Sequence, residues 1–226
     1  MRQFPTPWLP SVAARRHTDI GCGWCKMASD LVIASVTAVL KHLLENGLAG
    51  RSLAATIGSE ATVSALSPDR VPVGELERPR LNLCLFMVTP YTSLPRGDGR
   101  SSVSNLRTVG TPLLLDLHYL ISAYGSEDLQ SEVLLGFALR LLHDHPVLGR
   151  EQIRLALEAQ SSSEIGRSVA PAFAALSAST LLDSVERVRI QPEFPSLDEL
   201  SRLWLALQAR FRPSAAYKVS AVVIDS

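Results

Sequence analysis

The sequence predicts an α+β fold: a single domain in which a mainly antiparallel or mixed sheet of about four strands is layered with about three main helices. Three observations carry this. From Leu113 to Ala123 every odd position is apolar while Asp116, His118 and Ser122 fall on even ones, the period of a strand with one buried face. That strand runs into a long apolar helix that Pro146 stops, and Arg80 to Thr89 repeats the strand period. Finally, Ser196-Leu-Asp-Glu199 is a capping box that opens a third helix ahead of the β-branched run Tyr217 to Ile224. The order of strands in the sheet is not readable from one sequence.

Taken in order, residues 1–26 carry prolines and arginines without periodicity, and are read as a disordered extension or as sequence upstream of a true start at Met27. The domain is then 27–226. Ser29 and Asp30 cap a helix whose apolar side holds Val32, Ile33, Val36, Val39, Leu40, Leu43 and Leu44. Its polar side holds Ser35, Lys41, His42 and Glu45, and Gly47 is expected to stop it. A short strand within Ala61 to Leu66 and a proline-punctuated loop follow.

From Tyr91 to Thr111 the chain is rich in Gly, Ser, Pro and Arg. It is too long for an idle hairpin loop, so it is a disordered connector or an arm that orders against a partner. After the central strand, Gly125 allows a turn, Ser126 is the expected N-cap, and Glu127 and Asp128 suit the first helical turn. The helix from Leu129 to Leu142 is apolar over more than one face and needs two partners. Arg150 to Ala159 reads as a short helix and Val185 to Ile190 as a short strand. The last helix presents Leu197, Leu200, Leu203, Trp204 and Leu207 on one face, and Pro213 ends it.

Composition narrows the function classes. With 226 residues, 46% of them hydrophobic, the chain can bury roughly 70% of its unfolded surface around one core. Lys plus Arg equal Asp plus Glu at 22 each, so no net basic field invites nucleic acid or an anionic membrane, and neither is an expected partner. The apolar run Leu31 to Leu40 is about half a membrane span, which predicts a soluble protein. Arg15 and Arg16 ahead of that run have the elements of a twin-arginine export signal, but Ser29 and Asp30 fit a domain helix better. Three cysteines make no disulfide framework and point to a reducing compartment.

Few motifs suggest chemistry. Cys22-Gly-Trp-Cys25 has dithiol or half-zinc spacing but sits outside any strand–helix context, and Cys84 reads as a small buried hydrophobe. His143-Asp144-His145 ends a helix, where histidines satisfy open carbonyls. Asp116 and His118 share a strand face, the usual setting for cross-strand pairs. A small metal-dependent hydrolase using Asp116, His118, His143 and His145 is the competing reading, and a thiol redox module a weaker one. No nucleophile elbow, phosphate-binding glycine loop or HExxH helix occurs.

The blocks MASDLVIASVTAVLKHLLENGL, LNLCLFMVTPY, PLLLDLHYLISAYGSEDLQSEVLLGFALRLLHDHPVL and SLDELSRLWLALQARFRPSAAYKVSAVVIDS resemble, in order, the cap or tail-terminator proteins of extracellular contractile injection systems. These are the phage-tail-like particles of the antifeeding-prophage and Photorhabdus virulence cassette kind. The resemblance implies a hexameric ring of this chain on the last layer of inner tube protein. That ring engages the end of the sheath protein and stops polymerisation. It implies no catalytic residue and no cofactor, with assembly in the cytoplasm into a particle that is released or retained. On this reading Tyr91, Arg96, Arg100 and Arg107 of the long loop, and Leu135, Leu139 and Leu142 of the central helix, are candidates for contact with neighbouring subunits or the tube.

Overall fold

The computed structural model describes residues 31–50, 53–91, 113–162 and 188–224. Along the chain these form α1 (Val32–Gly50), α2 (Leu53–Ile57), β1 (Thr62–Ser64), β2 (Arg80–Pro90), β3 (Leu113–Tyr124), α3 (Gln130–Asp144), β4 (Val147–Leu148), α4 (Arg150–Ser162), β5 (Val188–Glu193), α5 (Leu197–Ala206) and β6 (Ser214–Ile224). The α+β class is as expected. The described sheet has six strands rather than about four, in the order β1-β2-β3-β6-β5-β4. All neighbours pair antiparallel except β1 with β2. Residues 1–26, the caps Ser29 and Asp30, and most of the 91–111 loop lie outside the described residues.

One face of the sheet carries the main core. The odd positions Leu117, Tyr119, Ile121 and Ala123 of β3 point there with Leu81 and Leu83 of β2 and Tyr217 and Val219 of β6. Onto them pack Val32, Val36, Val39, Leu40 and Leu44 of α1, Leu134, Phe137, Ala138, Leu141 and Leu142 of α3, and Ile153, Ala156 and Leu157 of α4. Tyr119 is fully buried, and its hydroxyl exchanges a 2.9 Å hydrogen bond with Thr37 Oγ1 of α1, so its one polar atom is satisfied. By length and composition alone α1 could cross a membrane. Its apolar side is instead spent on the sheet and on its neighbour helices.

β3 differs from the expected strand with one buried face: both faces are covered from Leu115 to Tyr124. The second face, which carries Cys84 and Leu120, is roofed by α5 through Trp204. The alternation of Asp116, His118 and Ser122 with leucines is real, but a roof turns the polar side inward.

Three local expectations are corrected. Gly47 does not stop α1, which continues to Gly50. It is the point of closest approach to α3, where a Cβ would meet Leu141 Cδ2 at 2.6 Å and Phe137 Cζ at 3.0 Å. Ser35 is buried on the core side and donates its hydroxyl to the Leu31 carbonyl at 2.8 Å, which removes the cost of hiding it. Ser126 is not the N-cap of α3: the helix begins at Gln130, and Leu129 precedes it with φ 63°. Gln130 explains the shift, because its buried side chain accepts from Glu127 N at 3.1 Å and donates to the Ile57 carbonyl at 2.8 Å, holding the turn in place of a serine cap. Leu129 is consequently exposed rather than part of the apolar helix face.

Candidate functional site

Polar groups gather on the roofed face of the sheet, beside Phe86, which also packs against the Trp204 cluster. His118 of β3 is buried; its Nδ1 lies 2.8 Å from Glu193 Oε2 of β5 and its Nε2 lies 2.9 Å from Thr89 Oγ1 of β2. β6 separates β3 from β5, so the imidazole reaches across a strand, and one side chain ties β2, β3 and β5 together. Phe86 stands against the same ring with centroids 6.2 Å apart. Asp116 is also buried, beside a register shift in the β3–β6 ladder, and its Oδ2 lies 4.0 Å from Lys218 Nζ.

This arrangement is the cross-strand pairing anticipated for Asp116 and His118. A threonine hydroxyl can donate or accept, so both ring nitrogens of His118 stay satisfied whether the ring is neutral or charged. Such a network fixes strand register. His143 and Asp144 project outward from the end of α3, and the backbone N–H of His145 donates to the Leu141 carbonyl at 3.1 Å as the last bond of the helix. Among the described residues no three His, Cys, Asp or Glu side chains come together as a metal site, so Asp116, His118, His143 and His145 do not converge.

A second polar knot sits where α5 rejoins the sheet. Arg212 donates to both oxygens of buried Glu77, at 3.0 and 2.9 Å, and its guanidinium lies 5.5 Å from the Tyr124 ring centroid. Glu77 also accepts from the backbone of Gly125 at 3.2 Å. A bidentate pair of this kind locks the 71–79 loop, the β3–α3 turn and the start of β6 together. Nothing in the sequence around Glu77 marks it, because its partner lies far along the chain.

The candidate contact residues are divided. Leu139 is exposed on α3 and Leu135 half-buried, whereas Leu142 lies in the chain's own core at 3% exposure and offers no surface to a neighbour. The helix looked greasy on too many sides because it packs on both the sheet and α1. Tyr91 is half-buried, its N–H donating to the Leu114 carbonyl at 3.0 Å. Arg96, Arg100 and Arg107 lie outside the described residues, as do Cys22 and Cys25. Cys84 is a buried free thiol, and burial, with Asp69 nearby, pushes its pKa up, which suits a packing residue rather than a nucleophile.

Sequence reasoning missed the exposed apolar strip on and around α5. Phe194 is 90% exposed, Leu197 74%, Leu205 79% and Phe211 53%, although Leu197 was expected on the buried face. The signal was present in the number of large apolar residues from Phe194 to Phe211, more than one helix face can hide.

These features make an α+β domain with a mixed sheet, its main helices on one face and α5 with two polar ties on the other, and the comparisons give the family that has this fold. The chain belongs to the Pvc16 N-terminal domain family, which matches residues 35–226. Among solved structures it is similar to the sheath/tube terminator of an extracellular contractile injection system, PVC, in its extended state. That match has 15% identity and a TM-score of 0.50, and covers 86% of this chain and 56% of that one. A second is the tube-terminating cap of the anti-feeding prophage, at 16% identity and a TM-score of 0.43, covering 80% of this chain and 54% of that one. At such identity the first likeness is one of fold, and the chain spans just over half the length of both solved chains. No curated protein matches the sequence.

Proposed function

We propose that this chain is a structural cap, or tail terminator, of a phage-tail-like contractile injection particle. Copies of it form a ring, a hexamer, on the end of the inner tube, and the ring engages the last sheath layer to stop polymerisation and fix length. The family match from residue 35 to residue 226 is the observation that carries this reading. The fold shared with a sheath/tube terminator supports it. So does the use of buried His118 and Glu77, with their half-buried partners Glu193 and Arg212, in holding elements together. Assembly takes place in the cytoplasm on this reading, and the protein then travels with the particle.

The test is to image particles made with and without the protein. Tubes of uncontrolled length, or tubes lacking a stable sheath, are expected in its absence, with normal length restored when it is supplied in trans. Particles of unchanged length and intact sheath would overturn the proposal. Sedimentation of the purified protein alone and with tube protein separates the finer claims: a strict monomer at high concentration that ignores the tube end would remove the ring.

A further inference from the structure

Both ends of the segment 194–211 are pinned, and its middle is hardly held. Just before it, Glu193 is bound to His118 at 2.8 Å, and just after it Arg212 grips Glu77 at 3.0 and 2.9 Å. Pro195 lies two residues after the first anchor and Pro213 directly follows the second. Between them α5 buries one side chain, Trp204, which packs against Cys84 and Leu120 and donates its indole N–H to Ser214 Oγ at 3.3 Å, with Leu200, Leu203 and Leu207 only partly covered.

The helix does not depend on the sheet for its own ends. Ser196 Oγ accepts from Glu199 N at 3.2 Å while Glu199 Oε2 accepts from Ser196 N at 2.8 Å. Asp198 and Arg202 pair along the outer surface at 2.9 Å, and Gln208, at φ 53°, turns the chain out of the helix. Four large apolar residues in the segment already face outward, so little further apolar surface is exposed if it lifts.

We propose that residues 194–211 are a strap, hinged at Glu193 and Arg212, that lifts from the outer face as a unit while the sheet and α1, α3 and α4 stay folded. Lifting uncovers Cys84, Leu120 and Phe86, so the sheet's second apolar face is available only in the open form. The motion needs no partner and stands whether or not the chain caps a tube.

Cys84 is the reporter. Under the closed strap its thiol is buried and its pKa raised, so it alkylates only after opening. Iodoacetamide labelling of the full chain, read peptide by peptide to separate Cys84 from Cys22 and Cys25, is expected to proceed at urea concentrations well below global unfolding, with a shallower urea dependence. Trp204→Ala is expected to speed Cys84 labelling at least tenfold. Should that variant not fold, amide exchange of the unaltered protein decides: the peptide 197–207 exchanges at least tenfold faster than 32–50 and 113–124. Labelling that follows the global transition, or exchange of all three peptides in step, overturns the proposal.

Discussion

Among the described residues, three helices finish one face of the sheet and one short helix the other, and the two solutions differ in what they ask of their residues. On the inner face, β3, β2 and β6 meet α1, α3 and α4 in one continuous core that reaches from Val32 to Val219. On the outer face the buried apolar set is Cys84, Leu120 and Trp204, beside two polar ties. Stability therefore sits on the inner side, where removing apolar area from water gains roughly 25 cal/mol per Å². The outer side contributes alignment, through charged groups whose partners lie on separate elements.

The largest expected effect tests the inner face. Leu117 is fully buried at its centre, so Leu117→Ala should cost about 3–4 kcal/mol in urea unfolding, while Leu200→Ala on α5 should cost no more than about 1 kcal/mol. Equal losses would erase the distinction. Next, Glu77→Ala leaves Arg212 without its carboxylate and Gly125 N–H without an acceptor, and a loss of about 3 kcal/mol is expected by thermal or urea denaturation. A loss below about 1 kcal/mol would show that the outer ties are ornamental.

The third test uses pH. Burial pushes the phenols of Tyr119, Tyr124 and Tyr217 above their ordinary range, most strongly Tyr119, where the bond to Thr37 works weakly the other way. A raised pKa in the folded state means that the contribution is complete below the unfolded value, about 10 for tyrosine, and is lost as pH rises beyond it. The unfolding free energy measured in urea should hold steady between about pH 7 and 8, begin to fall as the unfolded-state thiol of Cys84 titrates, and drop on the order of 1 kcal/mol from the tyrosines by pH 11. Tyr119→Phe should flatten that fall.

Smaller effects sharpen the packing description. Gly47→Ala must push Leu141 and Phe137 aside, and after the gain in helix propensity a net loss of about 1 kcal/mol is expected. Leu129→Gly should raise stability by about 0.5–1 kcal/mol, since Leu129 is exposed and holds a left-handed conformation that glycine adopts without strain. A destabilised Leu129→Gly protein would mean that this leucine has a contact worth more than its backbone strain.

What the chain discloses about itself follows the same division. The inner face was readable, since the alternation in Leu113 to Ala123 and the apolar side of α1 are local patterns that formed the elements they predict, and on the outer face the capping box at Ser196 did the same for α5. Misreadings came where a distant partner overrides a local signal. Gly47 looked like a helix stop until Phe137 and Leu141 lay against it, and Ser126 looked like a cap until Gln130 took the turn. The His118–Glu193 and Glu77–Arg212 ties had no local mark, because each joins residues far apart in sequence that only the strand order brings together. Family character was legible in four blocks of sequence, whereas the division of α3 into core-facing Leu142 and outward Leu139 required the packing itself.

The strand order also constrains how the molecule can be made. β6 lies between β3 and β5, so the neighbour that completes β3 is synthesised after the other described strands. A nascent chain that has reached Glu193 holds β1, β2 and β3 as one piece and β4 with β5 as another, with the apolar edge of β3 bare between them. Until the ribosome releases residues 214–224, that edge is open to any passing strand, and a truncated product would be a natural client for chaperones.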